Sequence, residues 1–373
     1  MSGYTAAETL CLAKRAHNTK RTYLLVNPLQ AKHLPVSPTR ALEMMWVLGN
    51  TLAAEFPDTK LVIGFAETAT AIGAMAASCF DDDCVYIHTT REPLRPGCFL
   101  EFREEHSHAV EQTLYCGELE AWAEKTSTVI FIDDEISTGK TILNMVEQLK
   151  ARFPRLGEKR LVAASIMNRV TEADEARLAA AGVVCRCLVK LPQTDYTQAV
   201  ERFPITDAPE PPEPPELPRW RRLPMVLCKP REGVLAFDYL EVCRRRAESL
   251  LPELREQLDT GGKILVLGTE ECMLPALVLG AVLEHQGGFS DVRCHATTRS
   301  PIGVCDQPDY PVREGWRLRS FYDPERVTYL YNLERYDAVI VVTDKAGEAG
   351  LQSLAAALEV HGCGRYFLAG GGA

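Results

Sequence analysis

Short apolar runs alternate with longer amphipathic segments along most of the chain. The runs have the length of single β-strands, whereas the longer segments repeat their apolar positions at helical spacing. This alternation predicts an α/β fold in which helices cover both faces of a mostly parallel sheet. In the first 203 residues it predicts strands at 23–26, 60–65, 84–88, 128–132, 160–166 and 183–189, and helices at 39–54, 70–78 and 141–152.

The same alternation returns in the last third of the chain. It predicts strands at 263–267, 292–295, 338–342 and 365–368, and helices at 273–284 and 348–360. Two short sequences also recur: residues 64–67 (Gly-Phe-Ala-Glu) and 89–91 (Thr-Thr-Arg) have counterparts at 268–271 (Gly-Thr-Glu-Glu) and 297–299 (Thr-Thr-Arg). Two interpretations stay open. The second α/β domain is a degenerate duplicate of the first, or the two share only the spacing common to α/β domains.

A proline-rich segment separates the two halves of the chain. Residues 209–218 contain six prolines and three glutamates. Proline has no backbone N–H group, so this composition predicts an extended polyproline II spacer rather than part of a helix or sheet. The length of 373 residues also exceeds that of one typical domain, which is about 150 residues. We therefore predict a first domain at 1–203, a linker at 204–222 and a second domain at 223–373.

The charge and cysteine content argue against several classes of protein. Forty-one lysines and arginines against fifty-one aspartates and glutamates give a net charge of −10, which disfavours a surface for nucleic acid or for an anionic membrane. No apolar run reaches the roughly 18 residues of a membrane span, and the N-terminus lacks the apolar core of a secretory signal. The thirteen cysteines include no CxxC pair, so we expect reduced thiols in a cytoplasmic protein. From the charge and the lack of a long apolar run, we expect neither nucleic-acid nor membrane partners.

The most informative segment spans residues 129–141. Four apolar residues form a predicted buried strand, Asp133 and Asp134 follow at its end, and a loop rich in serine, threonine and glycine then opens a helix. In open α/β sheets, ligands bind at the carboxyl ends of the strands. Adjacent carboxylates can accept hydrogen bonds from a vicinal diol, and a helix N-terminus with nearby hydroxyl groups suits a phosphate dianion. A diol beside a phosphate indicates ribose 5-phosphate, and the predicted binding residues are Asp133, Asp134, Ser137, Thr138, Gly139, Lys140 and Thr141.

The same segment also ends like the phosphate loop of nucleoside triphosphatases, in Gly139, Lys140 and Thr141. That loop requires a glycine five residues before its second glycine, and position 134 is aspartate, so this interpretation is disfavoured. The remaining alternative is a solvated acidic turn before an ordinary helix. Lys140 has two open interpretations of its own, namely contact with a phosphate and exposure to solvent.

Residues 129–141 resemble the phosphoribosyl pyrophosphate (PRPP) motif of type I phosphoribosyltransferases, which consists of four hydrophobic residues, two acids and a phosphate loop with threonine and glycine. The resemblance implies that Asp133 and Asp134 hold the ribose hydroxyls and that residues 137–141 bind the 5-phosphate. One position departs from the purine-salvage members, because Ser137 stands where they have an aspartate that addresses the purine ring. This difference disfavours salvage of hypoxanthine or guanine.

The resemblance also implies a loop for the pyrophosphate group, formed here by Ala66, Glu67 and Thr68. The family uses Mg2+, which binds mainly through PRPP, and the carboxylates nearest to it would be Glu67, Asp133 and Asp134. Glu67 has two open interpretations, since it can help to order Mg2+ through water or cap the following helix.

Residues 91–108 correspond to the mobile loop that closes over the site in this family. The cations of this loop suit the negative charge that develops on departing pyrophosphate, which makes Arg91, Arg103 and His106 the candidate catalytic residues. Lys32 and His33 lie in the N-terminal region that helps to build a hood over the base in this fold class. A surface loop is an equally good interpretation of these two residues.

The whole chain is similar to a narrower family, in which a phosphoribosyltransferase is joined to a C-terminal domain named for its Thr-Arg-Ser-Pro (TRSP) signature. The signature stands here at residues 298–301. This family occurs in bacterial tellurium-resistance-associated stress gene neighbourhoods, with a suspected role in making a nucleoside-like product. A second candidate site follows, at Glu270, Thr298, Arg299 and Ser300. Arg299 either holds an anionic ligand or pairs with Glu270 or Glu271 as a structural residue.

Together these features predict a Mg2+-dependent phosphoribosyltransferase that uses PRPP to ribosylate an unidentified base or other small-molecule acceptor, or that runs the reverse reaction. The family resemblance implies a homodimer. The alternative is a regulatory protein that senses PRPP or a nucleotide and has lost turnover.

Overall fold

The computed structural model describes residues 3–17, 21–93, 99–102, 112–214, 216 and 218–371. The chain forms two compact units that interleave along the sequence. The first unit contains residues 1–6, 43–193 and 228–242, and the second contains residues 7–42, 194–227 and 243–373. These units differ from the contiguous ranges of the predicted domains, because residues 7–42 belong with the second unit and residues 228–242 with the first.

Both units are built from strands and helices in alternation. The strands are β1 (Cys11–Lys14), β2 (Tyr23–Val26), β3 (Thr59–Gly64), β4 (Val85–His88), β5 (Phe99–Phe102), β6 (Gln112–Tyr115), β7 (Thr128–Ile136), β8 (Arg160–Asn168), β9 (Val183–Lys190), β10 (Arg221–Leu223), β11 (Val234–Leu235), β12 (Lys263–Gly268), β13 (Asp291–Ala296), β14 (Gly315–Arg319), β15 (Val327–Tyr331), β16 (Ala338–Thr343) and β17 (Arg365–Gly370). The helices are α1 (Ala6–Thr9), α2 (Pro38–Glu55), α3 (Thr70–Ala77), α4 (Leu119–Glu124), α5 (Lys140–Arg152), α6 (Glu172–Ala180), α7 (Thr197–Glu201), α8 (Ala236–Gln257), α9 (Leu274–Gln286) and α10 (Glu348–Val360). Short 3-10 turns cover Pro154–Glu158 and Pro230–Glu232.

The first unit contains a six-stranded sheet in the order β11-β4-β3-β7-β8-β9. All of its strands except β11 run parallel, and β11 pairs antiparallel with β4. Central strands of this kind are covered on both faces, which explains the continuous apolar run at the start of β7. The core packs Leu61, Ile63 and Phe131 of the sheet against Met145 and Leu149 of α5. A separate antiparallel hairpin, β5–β6, lies between β4 and β7 in the chain.

The second unit contains a five-stranded parallel sheet in the order β10-β17-β16-β12-β13. Its core packs Leu265, Val339 and Val341 of the sheet together with Leu354 and Leu358 of α10. An antiparallel hairpin, β14–β15, precedes β16 in the chain. The predicted α/β class is therefore confirmed in both units.

The two units share their topology. The order β4-β3-β7-β8 in the first sheet matches β13-β12-β16-β17 in the second, and in each unit a hairpin precedes the central strand β7 or β16. Gly64 lies opposite Ile132 in the first unit, and Gly268 lies opposite Val342 in the second, so the registers also match. This agreement favours the interpretation that the second unit is a duplicate of the first.

Two segments differ from their predicted placement. The predicted strand at 23–26 forms, but it pairs antiparallel with β1 in a two-stranded sheet instead of joining the parallel sheet of the first domain, because residues 7–42 fold with the second unit. The predicted linker at 204–222 folds partly with the second unit, since the Arg317 amide donates to the Pro209 carbonyl at 2.8 Å and the end of the linker enters the edge strand β10. No helix within the described ranges combines the length and apolar character needed to cross a bilayer.

Candidate functional site

The acidic pair lies near the C-terminal end of β7, a central strand of the first unit. Asp133 and Asp134 are both half-buried, and the Asp134 amide donates to Asp133 Oδ1 at 2.9 Å. The pKa of Asp133 is raised well above its usual range, first by burial and then by the adjacent Asp134 carboxylate. Two carboxylates at such close range favour a ligand that supplies hydrogen-bond donors or positive charge.

The predicted phosphate loop follows β7 and leads into α5. Gly139 has a φ of 72° immediately before the helix begins at Lys140, and a Cβ at this position would lie 2.7 Å from Leu178 Cδ1. Glycine is required here both by the backbone conformation and by the close packing. Ser137 and Thr138 are half-buried, whereas Lys140 and Thr141 are exposed at the N-terminus of α5. This end of a helix attracts anions through its amide groups and its dipole.

The predicted pyrophosphate loop connects β3 with α3. The Ala66 amide donates to the Thr89 hydroxyl at 2.8 Å, and the Thr89 amide donates to the Gly64 carbonyl at 2.9 Å. The peptide bond between Ala66 and Glu67 is cis. Ala66 and Glu67 are buried, and Thr68 is half-buried. Thr89 thus fixes the backbone of the loop from the end of the neighbouring strand.

The two loops meet at one edge of the sheet. Strands β3 and β7 are adjacent and parallel, with Gly64 opposite Ile132, and the Phe65 amide donates to the Ile132 carbonyl at 2.9 Å. The structure therefore brings residues 66–68 beside Asp133 and Asp134. Parallel strands have this consequence because their carboxyl ends all lie at the same edge.

Part of the predicted closing loop can be placed in the structure. Arg91 is exposed and follows Thr90 at the end of β4. The other two candidate catalytic residues, Arg103 and His106, lie outside the described residues. The catalytic roles of all three therefore stay predictions.

The donor groups of this site fit Mg2+ bound mainly through a substrate. Among the residues described by the structure, no group of three or more histidine, cysteine, aspartate or glutamate side chains is arranged to hold a metal ion. Mg2+ usually keeps several waters and takes one or two protein carboxylates together with substrate phosphates. The half-buried pair Asp133 and Asp134 provides such carboxylates, whereas Glu67 lies in the adjacent loop.

Two residues that connect this loop to the β5–β6 hairpin, Thr89 and Gln112, were not predicted from the sequence. The Thr89 hydroxyl donates to Gln112 Oε1, and Gln112 Nε2 donates to the Ala66 carbonyl at 3.0 Å. The repeated Thr-Thr-Arg sequence was a signal for Thr89, because the Thr297 hydroxyl accepts from the Glu270 amide in the second unit as the Thr89 hydroxyl accepts from the Ala66 amide in the first. Gln112 had no such signal, since its role depends on the pairing of β6.

The second candidate site is occupied by internal ion pairs. Glu270 is completely buried, and its carboxylate accepts hydrogen bonds from Arg299 Nε at 2.7 Å, Arg326 Nη1 at 3.2 Å and the Ser320 hydroxyl. Arg299 Nη2 also lies 4.0 Å from Glu271 Oε1. These contacts favour the structural interpretation of Arg299.

The remaining residues of the second candidate site take part in backbone and loop contacts. Thr298 is buried and exchanges two backbone hydrogen bonds with Tyr329, at 2.9 and 2.6 Å, and the Ser300 amide donates to the Thr298 hydroxyl at 3.2 Å. Lys32, which the resemblance placed in a hood over the base, instead binds the loop of the second unit. Its Nζ donates to the carbonyls of Glu270 and Thr297 at 2.7 and 2.9 Å.

Comparisons with known proteins agree with this architecture. Residues 10–193 match the family model described as phosphoribosyl transferase, and residues 232–358 match the model described as the TRSP domain C-terminal to that transferase domain. A comparison with curated proteins gave no match.

Two solved structures illustrate what the chain is similar to. The adenine phosphoribosyltransferase of Trypanosoma brucei, in complex with AMP, pyrophosphate and ribose 5-phosphate, is 18% identical, covers 50% of this chain and 80% of its own, and has a TM-score of 0.36. The Giardia lamblia enzyme complexed with 9-deazaadenine is 13% identical, covers 50% of this chain and 96% of its own, and has a TM-score of 0.35. Such TM-scores establish neither an activity nor a substrate for this chain.

Proposed function

We propose that this chain, which belongs to the phosphoribosyltransferase family and carries a TRSP domain after the transferase domain, moves ribose 5-phosphate from PRPP to a small-molecule acceptor or runs the reverse reaction. The observation that supports this most strongly is the placement of residues 66–68 beside Asp133 and Asp134, at the edge of the sheet where α5 begins. One ligand that carries a pyrophosphate, a vicinal diol and a phosphate would contact all three features.

Each feature has a separate role in binding. Asp133 and Asp134 accept hydrogen bonds from the ribose hydroxyls, and such bonds to a charged acceptor contribute about 1.5–3 kcal/mol each. The backbone amides and hydroxyl groups of residues 137–141, at the N-terminus of α5, donate hydrogen bonds to the 5-phosphate. The loop at Ala66, Glu67 and Thr68 holds the pyrophosphate group through its backbone.

The protein accelerates the transfer by positioning and charge stabilisation. In related enzymes the transition state resembles an oxocarbenium ion, so the chain has no need of a covalent nucleophile. Its task is to hold the ribose against the acceptor and to stabilise pyrophosphate as it departs. We assign the second task to Arg91, Arg103 and His106, together with the pyrophosphate loop. When bound, Mg2+ would supply further positive charge to the departing pyrophosphate.

The acceptor is the part of the reaction that this family assignment leaves open. We propose a base or another small nucleophile, in the synthesis of a nucleoside-like metabolite of bacterial stress metabolism, including tellurium resistance. The cysteines of the described residues are free thiols, which supports the expectation of a reducing, cytoplasmic location. We also propose a homodimer, on the basis of the family resemblance alone.

A pyrophosphate-release assay tests the proposed function. The full-length protein is incubated with PRPP, Mg2+ and a panel of bases, amines and small heterocycles, and we expect release to depend on one class of acceptor. The variant Asp133→Asn/Asp134→Asn should be inactive, whereas Asp81→Asn/Asp82→Asn, which removes two exposed charges from the same unit, should retain activity. Binding of PRPP without release across the panel would contradict the transferase and favour the sensor.

A further inference from the structure

Residues 228–242 follow the proline-rich segment in the chain, yet they belong to the first unit. Strand β11 extends the edge of the parallel sheet, with Val234 opposite Tyr86 on β4. The Ala236 amide then donates to the Cys84 carbonyl at 2.9 Å. The sheet of the first unit is therefore completed by residues that lie beyond the predicted first domain.

A glycine fixes the position of this segment. Gly233 has a φ of 91°, and a Cβ at this position would lie 2.2 Å from Trp122 Cη2. Only glycine combines this backbone conformation with such close contact to a tryptophan ring. The packing places the 3-10 turn Pro230–Glu232 against β4 and β6, near the strand end that carries the Thr89-Thr90 pair.

Arg231 in this turn contacts Thr90. Its Nε donates to the Thr90 hydroxyl at 3.2 Å, and that hydroxyl also accepts from the Glu92 amide at 3.0 Å. Thr90 is completely buried, and it exchanges two backbone hydrogen bonds of 2.8 Å with Thr113 of β6. Arg231 therefore binds at the point where β4 is joined to the hairpin.

The neighbouring residue carries the connection to the pyrophosphate loop. Thr89 accepts from the Ala66 amide and donates to Gln112, which in turn donates to the Ala66 carbonyl. Residues 89 and 90 thus join the pyrophosphate loop to the β5–β6 hairpin.

We propose that Arg231 is a positioning residue for PRPP binding: through Thr90 it holds the β5–β6 hairpin, and through the adjacent Thr89 the pyrophosphate loop, in their binding arrangement. This inference rests on the proposed function. It also means that the transferase site depends on a residue from beyond the proline-rich segment. A guanidinium group suits this role because its planar donors hold a partner in a defined direction.

The test measures PRPP binding to the full-length protein by calorimetry in the presence of Mg2+. We expect Arg231→Gln to weaken binding about tenfold, the size of one hydrogen bond to a charged group. Lys229→Gln removes an exposed positive charge from the same segment and should leave the affinity unchanged. If Arg231→Gln only reduced the fraction of folded protein, calorimetry would show fewer binding sites per protein molecule. The dissociation constant for PRPP would then be unchanged.

Thr90→Val removes the same hydrogen bond from the acceptor side, because valine lacks the hydroxyl group that Arg231 contacts. If Arg231 acts through Thr90, the double variant Arg231→Gln/Thr90→Val should bind no more weakly than the weaker single variant. Additive losses, or an Arg231→Gln variant with wild-type affinity, would overturn the inference. Failure of the wild-type protein to bind PRPP would instead contradict the proposed function, before any variant is compared.

Discussion

Glu270 occupies in the second unit the loop position that Ala66 occupies in the first. The Ala66 amide donates to the Thr89 hydroxyl at 2.8 Å, and the Glu270 amide donates to the Thr297 hydroxyl at 3.0 Å. Where the first unit has a methyl group, the second therefore has a buried carboxylate. Thr343 likewise stands at the register position of Asp133, so the second unit lacks the acidic pair as well.

Loss of the Glu270 charge should destabilise the second unit. Glu270→Gln removes the nearest carboxylate from the mostly buried guanidinium groups of Arg299 and Arg326, and breaking buried pairs in this way costs about 3 kcal/mol. Chemical denaturation of the full chain measures the effect. Glu325→Gln, an exposed change in the same hairpin, should cost less than about 0.5 kcal/mol. Equal stability of the two variants would contradict the buried ion-pair assignment.

Gly139 should be sensitive to the smallest possible substitution. Gly139→Ala forces a non-glycine residue to a φ of 72° and places Cβ 2.7 Å from Leu178, so we expect a loss of about 2 kcal/mol in the free energy of unfolding. The phosphate loop should shift and PRPP affinity should fall. Gly157→Ala is the matched control, because its Cβ would lie 3.5 Å from the nearest atom, on Lys150. Similar behaviour of the two variants in denaturation and binding would refute this account of the loop.

PRPP affinity should depend on pH through Asp133. The Asp133 carboxyl group accepts hydrogen bonds from the ribose hydroxyls more strongly when it is ionised, and its pKa is raised in the folded protein by burial and by Asp134. Affinity should therefore rise as the pH increases through this raised pKa. The same shift means that Asp133 favours the folded state at low pH, and that this contribution is lost as the pH rises through the folded-state pKa.

Calorimetry over a series of pH values separates this effect from titration of the ligand. The phosphate groups of PRPP ionise in every measurement, so the difference between wild type and Asp133→Asn isolates the carboxylate. The two pH profiles should diverge, with the steeper dependence in the wild type. Parallel profiles would show that Asp133 does not titrate in the binding equilibrium.

The second unit should lose stability in mild acid. Burial, assisted by the positive charge of Lys32, lowers the pKa of His33 to about 3, and burial lowers the pKa of His295 to about 4. The unfolded chain binds these protons at its ordinary pKa of about 6.5, so stability falls as the pH drops below that value. For His33 the loss at pH 5 is on the order of 2 kcal/mol.

The slope of stability against pH is the measurement that checks this effect. His33→Gln should flatten the slope between about pH 6.5 and pH 5, whatever its effect on absolute stability. His285→Gln, which alters an exposed imidazole in the same unit, is the matched control for the substitution itself. A slope that is unchanged in His33→Gln would exclude His33 as the titrating group.

The parallel sheets were predictable because their signals are local. Strands β7 and β16 each contain a continuous apolar run, at 129–132 and 338–342, and α10 begins and ends where its pattern predicts, at Glu348 and Val360. The acidic pair was also visible, since it directly follows the apolar run of β7. Helix α8 was missed, although Tyr239, Cys243, Ala247, Leu250 and Leu254 are buried at helical spacing along it.

The interleaving of the two units could not be predicted from local patterns. Lys32 is buried because two distant carbonyls receive its ammonium group, and no periodicity indicates such a partner. Arg231 likewise gains its role from a turn that packs beside Thr90, after a proline-rich segment that predicts separation. These placements depend on tertiary contacts between segments far apart in the chain.

The central claim is that Asp133 and Asp134 form the ribose-binding part of a PRPP site. Calorimetric titration of the full-length protein with PRPP and Mg2+ tests it most directly, using wild type, Asp133→Asn/Asp134→Asn and the exposed control Asp81→Asn/Asp82→Asn. We expect binding by the wild type and the control, and loss of binding in the first double variant while its circular dichroism and thermal midpoint show a folded protein. Undiminished affinity in that folded variant would contradict the account.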